Sequence, residues 1–162
     1  MIPLKQFLEQ TSEKVELLFK RTGYLLPMYH VVEQNGRHVI MPPPPDATKD
    51  EAIALIKALF LLIRPQRYIF CDEAWTIDAH GEEAIARAID FVRSHGSAKD
   101  HPDCKEVVIF QAEDRQAGQL TGRRLIIRRA GRKPRLGPLQ IDDTISSEGL
   151  MVGLLPRDGS VH

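Results

Sequence analysis

Cysteine is scarce in this chain: its 162 residues contain two, Cys71 and Cys104. Two cysteines without ligand spacing are too few for a disulfide scaffold or a four-cysteine zinc site, and they suit a reducing compartment, so a cytoplasmic protein is expected. Net charge is also missing, because 22 basic residues balance 22 acidic ones. That removes a whole-molecule attraction to nucleic acid or anionic lipid and leaves only local patches to act. No apolar run approaches the roughly twenty residues of a membrane span. At the N-terminus Lys5, Gln6, Glu9 and Gln10 interrupt any leader-like apolar stretch, so secretion is not expected.

Catalytic signatures are thin as well. There is no glycine-rich phosphate loop and no Gly-x-Ser-x-Gly elbow. The six histidines, His30, His38, His80, His95, His101 and His162, include no i,i+4 pair, so no zinc site and no cofactor are expected. No internal repeat is visible.

What is present is an ordinary globular composition, 43% hydrophobic and 27% charged, with the length of one domain. A chain of this size buries roughly 70% of its unfolded surface, so neither metal nor disulfide is needed to hold it. One domain over residues 1–155 and a loose tail over 156–162 are expected.

The organising stretch is AIALIKALFLLI, residues 52–63, in which Lys57 is the only residue that is not apolar. Apolar on nearly every side, it predicts a helix over about 48–63 that is largely buried beneath other elements. Thr48-Lys49-Asp50-Glu51 has the order of a capping box at its start. Before it, residues 3–19 repeat apolar positions at three- and four-residue steps up to Gly23, an amphipathic helix. Residues 24–32 and 38–41 flank Asn35-Gly36 as a hairpin, with both turn residues expected at positive φ. Pro42 to Pro45 form a stiff spacer.

Beyond Pro65, residues 67–79 read as the longest strand, and residues 81–95 as a helix whose narrow stripe Ala84, Ile85, Ala88, Ile89 and Val92 covers a sheet from outside. Residues 106–112, 120–129, 135–141 and 150–155 read as further strands. Two strand–helix–strand passages among hairpin-linked strands predict an α+β fold, with a mixed or mainly antiparallel sheet of about seven strands and three helices.

Three sets of residues could carry function. Arg123, Arg124, Arg128, Arg129, Arg132, Lys133 and Arg135 occur with no acid between them. Such a ribbon could bind the phosphates of a nucleic acid or an acidic partner, although it has no aromatic residue for base stacking. Glu73, placed between Cys71 and Trp75, could be desolvated and poised as a general acid or base, with Asp72 beside it and a pocket near Trp75. The acid-x-Lys pattern Asp103-Cys104-Lys105 is expected to precede its strand rather than lie in it. The third reading is a binding or assembly protein of unidentified partner, with a homodimer through an open strand edge in residues 120–141, where apolar residues occupy both faces. That third reading is favoured, because open edges are more evident than catalytic groups.

Overall fold

The computed structural model describes residues 1–142 and 153–156. Helix α1 (Leu4–Thr22) starts behind Pro3, whose fixed φ suits a first turn, and stops at Gly23 with φ 78°. Helix α2 (Lys49–Ile63) carries the expected capping box: Thr48 Oγ1 accepts the Glu51 N–H at 3.3 Å, and the Glu51 carboxylate accepts the Thr48 N–H at 2.9 Å. Strands β1 (Met28–Val32) and β2 (His38–Met41) form the expected hairpin. Its turn differs from the Asn-Gly expectation, because only Gly36 has positive φ. The Gly36 N–H reaches Glu33 O at 3.0 Å. This three-residue loop with a left-handed glycine follows the twist of the strands as well as a two-residue turn does.

Strand β3 (Arg67–Ile77), helix α3 (Glu82–His95), strand β4 (Cys104–Asp114) and strand β5 (Gly118–Ile127) follow. The C-terminal strand splits into β6 (Arg135–Leu136) and β7 (Gln140–Asp142). Pro138 interrupts it by supplying no backbone donor. The sheet has seven strands in the order β2-β1-β3-β4-β5-β6, with β7 also on β5. All pairings among the described residues are antiparallel. The α+β expectation is met, with three helices and a curled, mainly antiparallel sheet.

Side chains alternate across β3, so two cores form on opposite faces. On one, α1 buries Phe7, Leu8, Val15 and Phe19 against Ile69, Cys71, Val108 and Phe110. On the other, Ile56 and Phe60 of α2 pack on Tyr29, Val31, Tyr68 and Phe70, together with Leu154 and Leu155.

Four expectations change. The 48–63 helix is not largely buried: Ala52, Ile56 and Phe60 are its buried residues, because one face of one sheet can cover only one side of a helix. The stripe of α3 is present but uncovered, since no α3 residue is buried. Residues 153–156 are not a strand, and 150–152 and the tail 157–162 lie outside the described residues. Lys105 lies inside β4 rather than before it. Within the 120–141 range expected to offer an open edge, β5 is paired on both sides, by β4 and by β6 and β7, and β6 and β7 stand at the end of the sheet.

Candidate interaction surfaces

Asp72 and Glu73 are neighbours on a strand and therefore project to opposite faces. The Glu73 carboxylate accepts the Leu25 N–H at 2.6 Å, tying the α1–β1 connection to the sheet. Asp72 Oδ1 accepts the Glu73 N–H at 2.8 Å. Burial, aided by the Glu73 charge, pushes the Asp72 carboxyl up to about 6, against the lowering effects of that hydrogen bond and Lys49. The two acids thus share a sequence position but not a site. Neither lines the groove beside Trp75.

The arginine ribbon is divided by the same alternation. Arg123 pairs with Asp78 at 2.7 Å and donates to Gln140 Oε1 at 3.2 Å. Lys105 also meets Asp78, at 2.6 Å. Hydrogen bonds from Lys105 and Arg123 hold the Asp78 carboxyl below the usual carboxylate range. Arg124 points the other way and is buried, donating to Ser12 Oγ at 2.6 Å and Gly137 O at 3.0 Å and pairing with Glu16 at 3.0 Å. Arg128 grips both carboxylate oxygens of Glu106. Arg129, Arg132, Lys133 and Arg135 remain exposed around the β5–β6 turn. Lys133 Nζ donates to Arg21 O at 3.1 Å there.

A cleft of about 890 Å³ lies over the end of β3, the middle of β5 and β7, and is lined by Asp78, His80, Arg123 and Gln140. Asp78 and Arg123 already satisfy each other in it. Among the described residues, no group of three or more His, Cys, Asp or Glu could hold a metal ion.

The unsatisfied surface is apolar. A groove of about 540 Å³ separates α3 from the end of β3, lined by Trp75, Ile77, Ile85, Ala88, Ile89 and Val92, with Arg93 at its margin. Trp75 is 41% exposed, Ile85 47%, Ile89 46% and Val92 39%. On α2 a second apolar face looks outward, with Leu55, Leu61 and Leu62 exposed. The α3 stripe was legible in the sequence, but the gap beneath it was not. That gap depends on where β3 and the connection after α3 place the helix.

These features define an α+β protein with two helices that each carry apolar surface beyond what the described residues cover. Compared with known proteins, it matches no family model, no curated protein and no solved structure. Among the described residues no helix is long and apolar enough to cross a membrane.

Proposed function

We propose that this is a protein-binding and assembly protein, and that the groove between Trp75 and α3 takes an amphipathic helical segment of a partner. The observation that carries this reading is α3 itself: it has an apolar stripe, yet none of its residues is buried. Large exposed apolar patches rimmed by polar groups mark binding surfaces. Fully burying an aliphatic side chain is worth roughly 1.5–3 kcal/mol, so each half-exposed Ile85, Ile89 and Val92 has roughly 1 kcal/mol still to gain. Trp75 adds the kind of aromatic anchor around which binding energy concentrates. A partner helix would present apolar residues at i, i+3 and i+4 to the groove and an acid near Arg93.

The test is selection of a peptide library against the wild-type chain alone, after which the enriched peptides are measured on Ile89→Asp. The enriched peptides are expected to have helical apolar spacing and to shift the emission of Trp75, the only tryptophan, to shorter wavelength. Enriched peptides that bind Ile89→Asp equally well, or that leave Trp75 emission unchanged, would place binding elsewhere and overturn the proposal.

A further inference from the structure

The outer face of α2 points to a second copy of this chain. We infer that two molecules associate through α2, antiparallel, about a two-fold axis near Ala58. The apolar residues of α2 divide into two stripes on opposite faces of the helix. The inner one, Ala52, Ile56 and Phe60, is buried on the sheet. The outer one is Ala54, Leu55, Ala58, Leu61 and Leu62, all exposed, with Leu62 82% accessible. A helix apolar all round belongs inside a core, and the described residues enclose only half of it.

Three features select a second copy as the cover. The stripe is self-complementary: small Ala58 lies at its middle, Leu55 one turn before and Leu62 about one turn after. A two-fold rotation sets Ala58 against Ala58, so the helices approach closely, and seats Leu55 beside the partner copy's Leu61 and Leu62 beside the partner copy's Ala54. The ends are complementary in charge. The first turn of α2 is acidic through Asp50 and Glu51 and the helix closes at Arg64, so an antiparallel pair lays each acidic end beside an arginine and opposes the two helix dipoles. A parallel pair would set acid against acid. Finally, no charged residue lies within the stripe between Glu51 and Arg64; Lys57 sits at its flank.

The inferred interface involves a helix rather than a strand edge. It does not depend on the Trp75 groove, which lies toward the α1 side of the sheet, so a dimer leaves both grooves open.

Sedimentation equilibrium across a range of protein concentrations reads the association directly. Wild-type chain is expected to populate dimer, and Leu62→Arg to associate at least about a hundredfold more weakly, because the dimer would then bury an unpaired charge. Leu62 is exposed in the single chain, so the variant keeps its circular dichroism spectrum. Ala58→Arg serves as a second variant. Orientation is read by oxidation in a Cys104→Ser background, where Cys71 is buried. Ala58→Cys is expected to form a covalent dimer while Asp50→Cys is not. A monomer at every concentration, or a Leu62→Arg variant that still dimerises, overturns the inference. Ready cross-linking of Asp50→Cys overturns the antiparallel arrangement.

Discussion

Asparagine in place of Asp114 is expected to lower the unfolding free energy by about 3–5 kcal/mol. The Asp114 carboxylate meets Arg67 at 2.7 Å, with the two side chains 1% and 7% exposed respectively. Arg67 also donates to Ile2 O at 2.8 Å and stands 5.5 Å above the Phe7 ring, so the pair locks the first residues of α1 onto β3. Asp114 Oδ1 accepts the Gln116 and Ala117 N–H groups at 2.8 and 2.9 Å, shaping the β4–β5 turn. Asparagine keeps the volume and one acceptor oxygen, so no cavity opens. What it removes is the charge, leaving a guanidinium in the interior without a counter-charge. Adding Arg67→Met to Asp114→Asn is expected to recover part of the loss, because the stranded cation goes with it. Urea unfolding of the single and double variants measures both, and a single-variant loss under about 1 kcal/mol would mean that the pair is solvated.

The second large effect is a pair of opposed pH dependences. His30 is 4% exposed and sits in a chain of contacts: Thr11 Oγ1 to its Nδ1 at 3.1 Å, and its Nε2 to His38 Nδ1 at 2.8 Å. Burial, with the neighbouring His38 and Lys14 charges, lowers its pKa to about 4. The unfolded chain takes up that proton near the ordinary value of about 6.5, so His30 costs stability as pH falls from about 6.5 toward about 4. Asp72 acts oppositely. Its pKa, raised to about 6 by burial, means the folded chain takes up the proton first. Stability therefore rises as pH falls from about 6 toward its unfolded value of about 3.9. Each slope approaches about 1.4 kcal/mol per pH unit, so the two nearly cancel in the wild-type chain.

The variants separate them. His30→Gln, which can still bond Thr11 and His38, is expected to gain stability on acidification across this window, and Asp72→Asn to lose it. Their changes between pH 6.5 and 4.5 run in opposite directions and should differ by about 4 kcal/mol. Parallel profiles for the two variants would show that neither group is buried enough to matter. Below this window, Asp78 and Glu106, both held below their ordinary range chiefly by hydrogen bonds from basic side chains, add loss of stability as the pH passes their folded values.

Much of the fold was legible because it is encoded over a few residues. Thr48 and Glu51 announce α2 through a cap whose atoms are three residues apart, and Gly23 and Gly96 end their helices with left-handed residues, at φ 78° and 72°. The interruption of the last strand at Pro138 is likewise local, although residues 135–141 read as continuous. The candidate sites were less legible. Glu73 looks poised for chemistry only until Leu25, forty-eight residues earlier, brings a backbone N–H to it. The arginines look like one ribbon only until strand alternation sends Arg123 to Asp78 and Arg124 to Ser12 and Glu16.

By itself, then, the sequence determined the kind of nearly every element and where the helices stop, because caps, turns and hydrophobic period act within a turn or two of chain. It also marked 52–63 as apolar on nearly every side. Only the tertiary structure decided which side of that helix the described residues cover and which they leave exposed. It did so because cover comes from strands remote in sequence, and one sheet face can occupy only one side of a cylinder.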